Sequence, residues 1–285
     1  MRKFIILILS FLLLIGNPIN SHADGVDIIY DILNKPTTST TGADIINGIL
    51  GKNNPEVEVQ IVNKDTIDNE IESENKSTDD DAYIKGLDVS KWNGIVNWKS
   101  VKKAGIDFVI FRAGYGPNAN SDKYFKQNIK GAIENNMIIG IYWFSYAYTD
   151  DMAVNEAEQC IKTIEKYKHK IALPIFYDFE YDSVKYANSK GVRINKSKAS
   201  SLADSFCSTI KKHGYETGIY TNIDYSNRYF TDKVLEKYHT WIAQWTSECT
   251  YKDNYIIWQK SDNYYINNKR FDLNYFYFNR YKGLK

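Results

Sequence analysis

Residues Leu173-Pro174-Ile175-Phe176-Tyr177-Asp178-Phe179-Glu180 form an apolar run closed by two carboxylates spaced i, i+2. In a β-strand those two positions share a face. Asp178 and Glu180 would therefore stand side by side where the strand leaves the core. Two carboxyls held that way are the minimal equipment for breaking a glycosidic bond: one gives a proton to the leaving oxygen, the other stabilises the oxocarbenium-like centre. The competing reading is a strand that ends in a solvated acidic turn. Other acids and sugar-binding side chains arriving at the same place would separate the two.

The elements that must bring them together begin at Tyr83, where strands and amphipathic helices start to alternate. Strands are predicted over 84–90, 107–114, 137–147, 172–180 and 216–220. The intervening helices are predicted over 98–104, 124–136, 152–168 and 196–212, with a lesser one over 231–238. Three strand-like runs follow, 240–245, 255–260 and 270–276. Repeated βα units imply a parallel sheet, so the fold class is α/β. Eight strands in about 200 residues fit an irregular TIM-like barrel of five βα units followed by three strands. An open doubly wound sheet is the alternative, but no glycine-rich dinucleotide fingerprint follows the first strand.

In a barrel, functional side chains collect at the C-terminal strand ends. There the sequence places Asp88, Arg112, Tyr115, Tyr142, Tyr146, Asp178, Glu180, Trp245 and Gln259, with Asp272 and Asn274 on the last strand. Aromatic faces stack on sugar rings, and acids and amides bond hydroxyl and N-acetyl groups. Core packing is the competing use of any single aromatic, Trp92, Trp98 and Trp241 among them. Tyr177 and Phe179 alternate with the acids and so face away. The apolar wall that would keep Glu180 protonated beside an ionised neighbour must come from other strands, with Tyr146 and Trp245 as candidates.

Composition divides the 285 residues. Met1-Arg2-Lys3 precedes an apolar stretch over 4–16, and Ser21-His22-Ala23 offers small residues where a signal peptidase reads. Residues 1–23 are thus expected to be a secretory signal peptide, an uncleaved anchor being the alternative. Residues 24–83 carry 14 acidic and 4 basic side chains and no Trp or Phe. They read as an acidic, largely disordered linker before a domain over 84–285. Within the linker, 27–33 is echoed by 44–50. These two short amphipathic repeats would dock to the wall or a partner, or stand as marginal helices with none. Residues 84–285 carry 21 acidic and 30 basic side chains, a balance suited to a polyanionic surface such as a bacterial wall. The cations are spread along the chain, unlike the clustered stripe that nucleic-acid binding favours. Cys160, Cys207 and Cys249 are odd in number and match no metal spacing. The first two fall in predicted helices, as free buried thiols. HExxH, CxxC and GxSxG are absent, which removes the usual sequence support for zinc hydrolases, redox enzymes and serine hydrolases. No metal or cofactor is expected, and the protein is expected to work as a monomer.

Gly86-Leu87-Asp88-Val89-Ser90-Lys91-Trp92-Asn93-Gly94, with Trp98 soon after, resembles the opening motif of family 25 glycoside hydrolases, the secreted and phage-type muramidases. Phe108 to Gly116 resembles that family's second strand, Gly140 to Tyr146 its third, Pro174 to Glu180 its catalytic strand and Phe271 to Phe276 its closing strand. The resemblance covers about residues 83–285, in the family's order. It implies cleavage of the β-1,4 bond between N-acetylmuramic acid and N-acetylglucosamine in peptidoglycan. It also implies Glu180 as general acid, Asp178 as the group that stabilises charge, and Asp88 and Asp272 as shapers of the muramic-acid site. Whether Asp178 would be a covalent nucleophile or would orient the substrate's acetamido group is left open. The chain departs from the pattern at Lys260 and over 261–270, where expected glycines are missing. A wall-binding protein with a vestigial site is the alternative from another class, and the presence of all four acids argues against it. A chitinase-like barrel is the other alternative. It lacks support in the short acidic motif of the fourth strand and in the Asp88 opening.

Overall fold

The computed structural model describes residues 82–118 and 120–281. The expected signal peptide and both short repeats lie outside the described residues. Among the described residues nine strands form one sheet: β1 (Ile84–Val89), β2 (Phe108–Tyr115), β3 (Asn120–Ser121), β4 (Ile138–Phe144), β5 (Ile171–Asp178), β6 (Thr217–Asn222), β7 (His239–Ala243), β8 (Ile257–Ile266) and β9 (Lys269–Phe276). Eight of them close in the order β1-β2-β4-β5-β6-β7-β8-β9, with β9 returning to β1, and β3 is appended to β2. The pairs from β1 round to β8 are parallel, whereas β9 runs antiparallel to both neighbours. Helices α1 (Trp98–Lys103), α2 (Phe125–Glu134), α3 (Asp150–Ile164), α4 (Tyr181–Ser189), α5 (Lys196–Lys212), α6 (Ile223–Arg228) and α7 (Asp232–Lys237) fill the first five crossovers. The expected five βα units followed by three strands are therefore what the chain forms.

The two-residue period of the strands builds two separate cores. Outward-facing Val109, Phe111, Ile139, Ile141, Trp143, Ile175, Tyr177 and Ile219 pack under the helices with Phe206, Leu202 and Ile129. Inward-facing Phe108, Ile110, Tyr142, Phe176, Trp241, Ile257 and Phe276 fill the barrel. A narrow barrel accepts rings of that size only where the paired strand offers no side chain. Phe176 stands opposite Gly218 in the β5/β6 register, and a Cβ at Gly218 would fall 2.5 Å from the Phe176 ring. This interior layer is the floor on which the mouth residues stand.

Helix signals in the sequence are used as expected. Asn97 caps α1 by accepting from the Ser100 N–H at 3.1 Å, and Gly105 and Gly214 take positive φ just past α1 and α5. Three short elements, α4, α6 and β3, fall in stretches where the sequence reading predicts no element. The largest change concerns 261–270, expected as a rim loop short of glycine. It is instead the outer half of a β8/β9 hairpin with Tyr265 paired to Arg270 and Ile266 to Lys269. Its two-residue turn needs positive φ at both positions, and Asn267 (49°) and Asn268 (62°) supply it. Asparagine tolerates this region, so no glycine is needed.

Both turn residues are exposed, so substitution there tests backbone conformation alone. Asn268→Val should destabilise the protein by about 1–3 kcal/mol, and Asn268→Gly should leave it unchanged or slightly more stable. Urea unfolding midpoints check both.

Candidate active site

β9 must run antiparallel to bring its acid to the mouth. In the β1/β9 register Asp88 faces Asp272 directly, and their side chains are hydrogen-bonded to each other. Asp88 is held from below by two amides. Gln259 Nε2 donates to its Oδ2 at 2.9 Å, and Asn274 Nδ2 donates to the same oxygen at 2.8 Å. The amides are fixed in turn. The Trp241 indole N–H donates to Asn274 Oδ1 at 2.8 Å, while the Tyr220 hydroxyl and the Trp245 indole N–H donate to Gln259 Oε1 at 3.0 and 3.1 Å. Burial raises both acids, Asp88 to about 6 and Asp272 to about 8. The amide bonds favour the Asp88 anion, and the Asp88 charge holds a proton on Asp272.

The second pair stands at the end of β5. Asp178 is its last residue, and Glu180 is the N-cap of α4. The two carboxyls are hydrogen-bonded to each other. Ser145 N–H grips the Asp178 carbonyl at 2.7 Å, and Glu180 N–H donates to Ser183 Oγ at 3.0 Å. Burial is the main reason that both acids are raised, and mutual repulsion adds to it at Asp178. Asp178, almost enclosed, is driven further toward its neutral form, against the pull of Arg112. The two pairs face each other: Asp88 acts on Asp178, and Asp272 on Glu180. Asp178 Oδ1 is buried and has no hydrogen-bond partner among the described residues. A buried bare acceptor costs stability unless a ligand completes it.

The other expected site residues divide into wall and support. Trp245 is 59 % exposed beside the acids, and Tyr146 is half-buried with its ring 5.1 Å from Tyr186. Tyr115 is half-buried, with the Lys91 ammonium 5.5 Å and the Arg112 guanidinium 5.7 Å from its ring centre. Tyr142 lies deeper, edge-on to Trp241 in the barrel floor. Arg112 points its Nε and a terminal nitrogen at Asp122 Oδ2, 2.8 and 2.7 Å away. Gln259 is buried and Asn274 is 0 % exposed. The structure thus places both amides behind Asp88, not on the cleft surface. Tyr177 and Phe179 face the helices, as the alternation requires. Of the three tryptophans with a competing core use, Trp98 and Trp241 are core and Trp92 is 81 % exposed.

A sequence-family model, Glycosyl hydrolases family 25, matches residues 87–269, well over half of the chain. The chain belongs to glycosyl hydrolase family 25. Lysozyme M1 of Streptomyces globisporus is 39 % identical over 66 residues, 23 % of this chain and 22 % of that protein. The modular autolysin LytC from Streptococcus pneumoniae shares the fold at a TM-score of 0.60 and 26 % identity, over 68 % of this chain and 47 % of its own. A family 25 glycosyl hydrolase from Bacillus anthracis matches at a TM-score of 0.58 and 27 % identity, over 69 % of this chain and 90 % of its own. The chain therefore spans about a fifth of Lysozyme M1 and about half of LytC.

Two further acids of this family 25 chain support the site, and the sequence reading missed both. Asp122 holds Arg112, accepts the Lys91 N–H at 2.8 Å and accepts the Tyr124 N–H at 3.2 Å. It thereby joins the β1 and β2 mouth loops to the start of α2. As an acid in a loop, it carried no sequence signal. Glu156 did carry one. It lies within the buried stripe Ala153, Ala157, Cys160 and Ile164 of α3, an acid where the helical period calls for an apolar residue. The side chain is 0 % exposed. Its Oε1 accepts the Tyr146 N–H at 2.9 Å, and its Oε2 is buried with no hydrogen-bond partner among the described residues. Glu156 thus pins the segment that grips Asp178. With no cation at hand, burial pushes it from its ordinary 4.5 up to about 8.

The folded protein therefore keeps a proton on Glu156 that the unfolded chain releases above about 4.5. Stability from this group is fully present below that pH and is lost as pH rises through about 8. Glu156→Gln preserves the acceptor and should flatten the fall of melting temperature between pH 5 and 8. Glu156→Leu leaves the Tyr146 N–H unpartnered and should cost about 1–3 kcal/mol. Thermal melts across pH check both variants.

Proposed function

We propose that this chain is a secreted lysozyme that cleaves the β-1,4 bond between N-acetylmuramic acid and N-acetylglucosamine in peptidoglycan. The observation that carries the reading is the hydrogen-bonded Asp178–Glu180 couple facing Asp88 and Asp272 across one buried mouth. Family membership and the similarity to LytC, which has also been solved with a synthetic peptidoglycan ligand, support the substrate class. The net positive charge of residues 84–285 suits an anionic wall.

Glu180 serves as general acid and protonates the leaving oxygen. The bare Asp178 Oδ1 suits an N–H donor, which the 2-acetamido group of the sugar carries. That bond would stabilise the Asp178 anion and so move the shared proton onto Glu180, where the leaving oxygen needs it. Asp178 then stabilises positive charge at the anomeric centre through the acetamido group. Carboxyls in hydrogen-bond contact fit a retaining route. An inverting pair would stand roughly 6.5–9.5 Å apart, leaving room for a water. The Asp88–Asp272 pair and Trp245 shape the muramic-acid side of the cleft. In this reading residues 1–23 export the chain, 24–83 tether or dock it at the wall, and 84–285 act as a monomer.

Glu180→Gln should lower turnover on purified peptidoglycan by about 10²–10⁴-fold, the range a general acid supplies, with melting temperature unchanged. Reducing-end release and mass spectrometry of the products check it. Muramic-acid reducing ends from the wild type support the reading. Wild-type binding with no new reducing ends would make the chain a wall-binding protein.

A further inference from the structure

Beyond α4 lies a second groove of about 620 Å³, separate from the acids of the mouth. Its lining includes three cations, Arg193, Lys196 and Arg228, and no carboxylate. Lys198, on the same helix α5 as Lys196, lies 3.7 Å from Asp150. Of the three groove cations, Arg228 alone has an acidic partner among the described residues. Its bridge to Asp224 is an exposed i, i+4 pair, which ties up little of its charge. The lining also includes the apolar side chains Val184 and Val192 and the amide of Asn188. Like charges gathered in one concavity without acids call for an anionic occupant. Apolar contacts and an amide beside them call for one that also carries methyl groups and peptide bonds. A fully hydrated phosphodiester has no use for Val184 and Val192, whereas a short acidic peptide uses all three features.

The position of the groove fits an occupant attached to the substrate. α4 starts immediately after Glu180, so Val184 and Asn188 lie four and eight residues on, roughly 6 and 12 Å along the helix. α6, which ends at Arg228, leaves the mouth end of β6 directly. The groove therefore flanks the mouth. An extended peptide advances about 3.3–3.6 Å per residue and needs two to four residues to cover that distance. Peptidoglycan carries short acidic peptides on its muramic-acid residues, the sugar on one side of the proposed cut.

We propose that the groove lined by Arg193, Lys196 and Arg228 is a subsite for the acidic peptide of the glycan chain, binding its carboxylates beside the cleft. This rests on the lysozyme reading above and adds a recognition element outside the sugar subsites. It makes the enzyme favour peptide-bearing over naked glycan.

The test uses the full chain and the Arg193→Glu/Lys196→Glu variant, with melting curves to verify the fold and Arg193→Ala/Lys196→Ala as a milder second variant. Three substrates are compared: glycan strands stripped of peptides, peptide-bearing peptidoglycan freed of phosphodiester polymers, and the same peptidoglycan with its peptide carboxylates amidated. On peptide-bearing material the charge-reversed variant should raise KM about tenfold at unchanged kcat, as loss of two charge-assisted contacts requires. The alanine variant should shift it less, in the same direction. Wild type and variants should be equal on stripped or amidated glycan. Equal kinetics on all three substrates would overturn the proposal. So would an equal loss on stripped glycan, or a loss seen only on walls that retain phosphodiester polymers, which would assign the groove to phosphate. Failure of the wild type on every substrate would instead refute the lysozyme reading.

Discussion

Four carboxyl groups at one barrel mouth repel each other, and the mouth is built around keeping them together. Burial makes the problem worse, since each charged form is penalised by the loss of water. The structure answers with protons and donors. Each acid is hydrogen-bonded to another acid, Asp88 with Asp272 and Asp178 with Glu180, so each pair is stable with a proton between its members. Donors then decide where charge rests. Gln259 and Asn274 favour the anion at Asp88, and Asp178 is left with a bare oxygen. The asymmetry between the pairs is chemically useful. One pair is already satisfied by protein, whereas the other keeps an acceptor that the proposed reading fills with a substrate N–H.

That arrangement depends on backbone choices far from the acids. Only an antiparallel β9 sets Asp272 opposite Asp88 while bringing Asn274 beneath both. The β8/β9 hairpin that reverses the chain leans on the β1 loop, with Lys269 Nζ donating to the Ile95 carbonyl at 2.6 Å. On the far side, Glu156 and Ser183 fix the segment after β4, Ser183 Oγ donating to the Ser145 carbonyl at 2.6 Å. Ser145 grips Asp178, and Ser183 accepts from Glu180. The Asp178–Glu180 couple is thus clamped through its backbone.

The sequence revealed what periodicity and strand-end position encode. Alternation on β5 put Asp178 and Glu180 on one face and sent Tyr177 to the helices. The βα rhythm predicted the barrel, and the strand ends predicted the acids. It concealed what depends on contacts across the fold. Nothing local says that Asn274 would be enclosed, because its burial comes from Trp241 and the β1/β9 pairing. The Asn267-Asn268 turn was missed because glycine was the only residue expected at positive φ. α4 and α6 are short and follow strand ends directly, so their apolar stripes are too brief to stand out from loops. Glu156 was visible in principle, as an acid inside an apolar stripe.

Glu156 also shows why a buried acid can persist on a helix. An apolar residue there would pack as well but would abandon the Tyr146 N–H, which bonds Glu156 where the chain turns away after β4. A charged carboxylate would accept that bond but at the cost of a buried unpaired charge. A neutral acid accepts it without that cost, and a raised proton affinity follows from this use. The same reasoning applies at Asp272, where a retained proton lets one carboxyl donate to another. Proton affinities raised by burial therefore serve two purposes in this barrel: holding loops in place behind the acids, and leaving a transferable proton at the mouth.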